Sequence, residues 1–211
     1  MRTCDPRCPR YGLALAALGL LFTLQACGER GARLPPLGNA DVIVAFGDSL
    51  THRTGAAEHE SYPAVLAGPI RRKVIGAGVP GEVTAQALER LPQVIEEHRP
   101  RLVIVCIGGN DMLRRLSMKE ARTNLRAIIK TLTDRSIDVV LIGVPQPALL
   151  SSPPEFYGEL AREFAILYES EILKTVLYDA EMKADPIHPN ARGYRRVAEA
   201  LAGRLREAGA I

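Results

Sequence analysis

The 211-residue sequence predicts an α/β domain: a three-layer αβα sandwich built on a central parallel sheet of about five strands. Three observations carry this. Short apolar runs alternate with longer stretches of helical periodicity, the pattern of strands joined by crossover helices. Two of the runs, DVIVAF at 41–46 and RLVIVCI at 101–107, are apolar without alternation, as parallel strands covered on both faces are. The chain has no Trp and only 5% aromatic residues, so the core is expected to be aliphatic. The length suits one such domain and leaves too little core for two.

That domain is expected to start after residue 40. Arg2, Arg7 and Arg10 precede an uncharged run, YGLALAALGLLFTLQA, at 11–26. The run is short for a bilayer span of ~20 apolar residues and suits the apolar region of a secretory signal. It ends in Leu24-Gln25-Ala26-Cys27-Gly28, which resembles the lipobox of bacterial lipoprotein signals, with Cys27 as the residue that takes the lipid. Residues 1–26 are therefore read as a signal peptide, 27–40 as a lipidated tether rich in Gly and Pro, and 41–211 as the domain. The resemblance implies an exported bacterial protein anchored to a membrane and facing the periplasm. Gly28, in place of Asp, leans towards the outer membrane.

Charge excludes one class of partner. The formal net charge is +3, and three Arg against one Asp lie in the first 26 residues, so most of the excess leaves with the signal. No basic stripe interleaved with aromatics marks a nucleic-acid surface. Cys106 lies in an apolar run without a partner, so no disulfide is expected.

The elements follow in order. The first strand is read at 41–46 and a short helix at 60–68. The second strand is KVIG at 73–76. Residues 83–98 place Ala87, Leu88, Leu91, Val94 and Ile95 on one helical face, with Pro92 expected to kink or split the helix. The third strand is 101–107. A helix at 119–134 buries Leu125, Ile128, Ile129 and Leu132, and a strand follows at 138–143. Pro145, Pro147, Pro153 and Pro154 make 144–154 a stiff loop, expected with Phe156 and Tyr157 to line a substrate pocket. A helix is read at 155–170, a fifth strand at TVLY, 175–178, and a final helix at 191–208 with Asn190 as its N-cap.

In such sheets the chemistry gathers at the carboxyl ends of the strands. Gly47-Asp48-Ser49 follows the first strand, Gly76 to Glu82 the second, and Gly108-Gly109-Asn110-Asp111 the third. Asp185-Pro186-Ile187-His188 precedes the last helix. Together these bring what acyl transfer needs: a serine, a base, an acid to orient the base, and donors for an oxyanion. Asp48 is read as serving its turn. His52, His59 and His98 are read as facing solvent, and Arg114 and Arg115 as a solvated helix face rather than a site for an acidic head group. No His-x-x-x-His spacing suggests a metal, and no cofactor is implied.

These blocks, Gly47-Asp48-Ser49-Leu50-Thr51, Gly81, Gly108-Gly109-Asn110-Asp111 and Asp185-x-x-His188, resemble those of the SGNH hydrolases, or GDSL esterases and lipases. The likeness is nearest to the thioesterase I, lysophospholipase L1 and arylesterase subgroup and spans roughly 41–205. It implies a flavodoxin-like fold, a Ser49 nucleophile, a His188 base and an orienting Asp185. It also implies an oxyanion hole made by the backbone N–H groups of Ser49 and Gly81 and the side-chain amide of Asn110, with Gly78 as an alternative to Gly81. The expected substrate is a small-molecule or lipid ester or thioester of short to medium acyl length. An envelope glycan O-acyltransferase or deacetylase would use the same site. A flavodoxin-like FMN-binding protein would share the topology, though Asp48 would repel a phosphate.

Overall fold

Strand β1, Val42–Gly47, is an interior strand of the sheet, and its residues from Ile43 onward are all buried. The computed structural model describes residues 32–147 and 152–211; the signal segment and Cys27 lie outside them. The remaining strands are β2 (Lys73–Gly78), β3 (Leu102–Cys106), β4 (Asp138–Ile142) and β5 (Leu167–Glu169). They pair in the order β2-β1-β3-β4-β5, every pair parallel. Register sets Val44 opposite Ile75 on one side and Val103 on the other.

Among the described residues eight α-helices complete the layers: α1 (Ser49–His52), α2 (Tyr62–Ile70), α3 (Thr84–His98), α4 (Gly109–Leu113), α5 (Met118–Thr133), α6 (Glu155–Glu163), α7 (Ile172–Tyr178) and α8 (Ala191–Glu207). Helix α8 packs on α2 and α7, while α5 packs on α3 and α6, giving two helical layers around the sheet. Helix α3 is not split at Pro92. The proline sits on the exposed face, and the buried stripe of Ala87, Leu91 and Val94 runs past it. Asn190 caps α8, its Oδ1 accepting from the Gly193 amide at 3.1 Å.

Two expectations are corrected. Residues 175–178 are not a strand; they are the last turn of α7, where Ile172, Leu173 and Val176 are buried at helical spacing. The fifth strand is instead Leu167–Glu169, inside the stretch read as one helix over 155–170. That helix stops at Glu163, and Ala165 takes a positive φ of 51° that turns the chain into the sheet. The core is also less purely aliphatic than the composition suggests. Tyr62, Tyr157 and Tyr194 are among the largest fully buried side chains. Each satisfies its hydroxyl, as burial of a phenol requires: Tyr62 with Thr51 Oγ1 at 3.1 Å, Tyr157 on the Ile107 carbonyl at 2.7 Å, and Tyr194 on the Thr54 carbonyl at 2.8 Å.

The arm before β1 is tied down at the amino end of that strand. Leu34 N–H donates to the Ala208 carbonyl at 2.9 Å and Leu37 N–H to the Ala210 carbonyl at 2.8 Å.

Candidate active site

Ser49 stands at the point where β1 ends and one turn of helix begins. Asp48 caps that turn: its Oδ1 accepts from Leu50 N–H at 3.0 Å, and its carbonyl accepts from Thr51 and His52 at 3.1 and 2.9 Å. A four-residue helix with a fixed cap holds its first side chain on the sheet's carboxyl edge, where Ser49 is only partly buried.

The partner of Ser49 arrives from 139 residues away. Nε2 of His188 lies 3.0 Å from Ser49 Oγ, and Nδ1 lies 2.7 Å from Oδ2 of Asp185. A carboxylate only accepts hydrogen bonds, so Nδ1 carries the ring proton in the neutral imidazole. Nε2 is then the acceptor, and the serine hydroxyl donates to it. Asp185 also builds the loop that carries His188. Its Oδ1 accepts the amides of Ile187 and His188, both at 2.9 Å, and Ala184 N–H closes the loop on the His188 carbonyl at 2.9 Å. Partial burial pushes the Asp185 carboxyl upward, but the hydrogen bonds from Ile187 and His188 outweigh it and hold the acid below its ordinary range.

Asn110 sits in α4, directly after β3. Its Nδ2 donates to the Glu82 carbonyl at 2.9 Å and lies 3.3 Å from Asp48 Oδ2. Asp48 is fully buried, and that desolvation lifts its carboxyl to about 7; the Leu50 amide pulls it down, and the nearby charges of Glu82 and Asp111 push it up. Asp48 thus does more than serve its turn, since it also reaches the amide of Asn110.

Gly81 occupies the corner of a reverse turn in which Glu82 N–H donates to the Val79 carbonyl at 3.2 Å. Pro80 followed by a Gly at φ +78° is the signature of a type II turn, whose third position favours glycine. Gly78, the alternative, is the last residue of β2. A Cβ there would fall 2.3 Å from the His52 amide nitrogen, so Gly78 answers to packing against α1.

A cavity of about 300 Å³ opens beside Ser49, Asn110 and His188. Its walls are largely apolar, among them Leu50, Leu113, Val144, Pro147, Leu177 and Ile187. Asp185 stands behind His188, and Gly81 does not line this cavity; it borders a separate depression with Arg114. Residues 144–147 of the proline-rich loop line the cavity as expected; 148–151 lie outside the described residues. Phe156 and Tyr157 do not line it. Tyr157 is fully buried, stacked on Phe156 at 4.7 Å, because its hydroxyl is taken up by the Ile107 carbonyl. Leu177 and Tyr178 line the wall instead, a contribution hidden while their segment was read as a strand.

Two further expectations shift. Arg114 is not merely solvated, since its Nη2 donates to the Gly81 carbonyl at 2.6 Å. His59 is exposed, whereas His52 and His98 are half-buried. The sequence reading assigned nothing to Glu82, Arg90 and Asp111. Glu82 is buried and held by Arg90 through two hydrogen bonds of 2.7 Å, and Arg90 also lies over the Phe46 ring at 4.5 Å. Asp111 accepts from Thr84 N–H at 2.9 Å and Thr84 Oγ1 at 2.6 Å, anchoring the first turn of α3. Among the described residues no group of three or more His, Cys, Asp or Glu side chains is placed to hold a metal ion.

The profile of the GDSL-like lipase/acylhydrolase family matches residues 45–196, well over half of the chain. The chain belongs to that family and is a carboxylic ester hydrolase. It is 29% identical over 174 residues to the thioesterase 1/protease 1/lysophospholipase L1 of Escherichia coli K12, covering 79% of this chain and 84% of that protein. An arylesterase of Vibrio mimicus is 26% identical over 204 residues, with 92% and 98% covered. Among solved structures, AlinE4, an SGNH-hydrolase family esterase, is 34% identical at a TM-score of 0.64, covering 82% of this chain and 98% of that one. The fold is matched at a TM-score of 0.72 by TesA, 24% identical, over 80% of this chain and 99% of that one.

Proposed function

We propose that the enzyme cleaves carboxylic esters and thioesters of short to medium acyl chains through an acyl-enzyme formed on Ser49. The observation that carries this reading is the line from Ser49 Oγ to His188 Nε2, 3.0 Å, and from His188 Nδ1 to Asp185 Oδ2, 2.7 Å. A serine hydroxyl is a weak nucleophile until a base takes its proton. In this reading His188 Nε2 accepts the Ser49 proton as Oγ attacks the carbonyl carbon, and the carbonyl electrons move onto oxygen. The Ser49 and Gly81 amides and the Asn110 side chain stabilise that oxyanion. The tetrahedral species then collapses: the bond to the alcohol or thiol breaks, and the imidazolium proton goes to the leaving group. Water repeats the cycle on the acyl-enzyme and releases the acid. Asp185 stays ionised throughout and steadies the imidazolium.

The apolar cavity of about 300 Å³ supports an acyl group of modest length. The signal-like segment and Cys27 support export and attachment to a membrane through lipid, with the site on the periplasmic side.

The test is a fluorophosphonate probe followed by a chain-length series of nitrophenyl esters and acyl-thioesters. Labelling at Ser49, lost in Ser49→Ala together with nearly all turnover, is the expected result. A folded Ser49→Ala enzyme that keeps most of its activity sinks the mechanism. Mass spectrometry of the protein from a bacterial membrane fraction checks the lipid: a lipid-modified cysteine at position 27 is expected, and an unmodified one overturns the anchor.

A further inference from the structure

We propose that Arg114 is a positioning residue for the oxyanion site, acting as an outer latch on the turn that presents Gly81. This rests on the oxyanion role given to Gly81 above. The turn Val79-Pro80-Gly81-Glu82 is held at both ends from within the domain. Val79 N–H donates to the Gly47 carbonyl at 2.9 Å, which ties the turn to the end of β1 beside Ser49. The Glu82 carboxylate is gripped by Arg90, and the Glu82 carbonyl accepts from Asn110 at 2.9 Å. The corner is different. Pro80 has no N–H to give, and among the described residues the one side chain hydrogen-bonded to Gly81 is Arg114, at 2.6 Å.

Asn110 and Arg114 are four residues apart on one helical turn, closed by the Arg114 amide on the Asn110 carbonyl at 3.0 Å. That spacing puts both side chains on one face. They take two successive carbonyls, Glu82 and Gly81, so the turn and the residue that shares its oxyanion task are locked to each other from a single short helix. The guanidinium also closes over the glycine: a Cβ at Gly81 would meet Arg114 Nη2 at 3.2 Å. Movement of the corner is thereby blocked on the side where Gly81 has no side chain of its own.

The demand for such a latch comes from the chemistry. A backbone donor helps an oxyanion only within about 2.7–3.1 Å of it. A small drift of the Gly81 peptide, too slight to loosen the fold, is enough to weaken that bond. Arg114 is exposed, and hydrogen bonds of exposed groups contribute little to folding. Its effect should therefore register in catalysis rather than in stability.

The experiment compares Arg114→Ala, Arg114→Lys, Asn110→Ala and Ser49→Ala with the wild type, using a neutral nitrophenyl ester and a trifluoromethyl ketone analogue of the same acyl group. The expected result is a roughly tenfold loss of kcat in Arg114→Ala with KM changed less than twofold. Ketone affinity should fall in step, Arg114→Lys should recover part of the rate, and Tm should stay within about 2 °C. Unchanged kcat in Arg114→Ala, while Asn110→Ala is impaired, overturns the latch and leaves the oxyanion reading standing. A loss confined to KM overturns it too, because it makes Arg114 a substrate contact. Full turnover in both Ser49→Ala and Asn110→Ala removes the site itself, and the latch with it.

Discussion

Asp48 and Asn110, 62 residues apart in sequence, meet at 3.3 Å between Oδ2 and Nδ2 beneath the mouth of the cleft. The same nitrogen donates to the Glu82 carbonyl at 2.9 Å, so the side-chain amide is fixed in plane and rotamer before any substrate arrives. Nδ2 has two hydrogens, and in the proposed reading the one on the longer, 3.3 Å contact passes from Asp48 to the substrate oxygen while the Glu82 carbonyl keeps the amide in place.

Asn110→Ala should therefore lower kcat by about 10²–10³, the usual cost of one oxyanion donor, with little change in KM. Steady-state kinetics on a nitrophenyl ester check this. An equal loss in Asn110→Asp is expected as well, because a second carboxylate would then face Asp48.

Asp185→Asn should separate orientation from loop structure. An asparagine Oδ1 can still accept from the Ile187 and His188 amides, so the loop should hold. Its Nδ2 donates, however, and would place the imidazole proton on Nε2, the nitrogen that has to accept from Ser49. A fall in kcat of about 10⁴ is expected, with an unchanged circular dichroism spectrum. In the wild type, the Asp185 carboxyl lies below its ordinary range, so Asp185 should stay ionised and add no limb of its own to kcat/KM. A rate–pH profile without an inflection in the ordinary carboxylate range checks it.

The buried Asp48 gives a pH signature in stability. Its carboxyl is raised from 3.8 in the unfolded chain to about 7 in the fold. A raised acid favours the folded state fully below the unfolded value and loses that contribution as pH climbs through the folded one. Relative to Asp48→Asn, the wild type should lose a few kcal/mol between pH 4 and pH 8. Each tenfold change in proton affinity is worth about 1.4 kcal/mol. Urea unfolding of both proteins across that range measures the slope, which any fixed cost of the substitution leaves untouched.

Gly47→Ala probes the seam between β1 and β3. An added Cβ would fall 2.0 Å from the Cys106 carbonyl oxygen and 2.7 Å from Thr51 Oγ1. Both neighbours are buried, so the strands have to part. A loss of about 3 kcal/mol or more is expected, seen as a Tm lower by roughly 6–12 °C.

Much of this architecture could be read from the chain before it was seen folded. The continuous apolar runs ending at Phe46 and Cys106 are central strands, and the motifs at their carboxyl ends, with Asp185 and His188, gather on one edge. What escaped did so for physical reasons. Strand β5 has three residues, too few for any periodicity to show, and it lies at the sheet's edge. The TVLY segment looks like a strand because Thr and Val are β-branched, yet Val176 shares a helical stripe with Ile172 and Leu173. The links from Arg114 to Gly81, Arg90 to Glu82 and Asp111 to Thr84 join charged or polar groups 8 to 33 residues apart. Charge alone suggests solvent for such residues, and only folding reveals their partners.

The backbone bonds of Leu34 to Ala208 and Leu37 to Ala210 hold the arm before β1 against the segment that follows α8. Both lie where β1 begins, whereas Ser49 follows where it finishes, a six-residue strand and so about 20 Å further on. Coupling the enzyme to a bead or sensor chip through a residue of either segment should thus leave its entrance pointing into the bulk liquid, free to receive ester from solution.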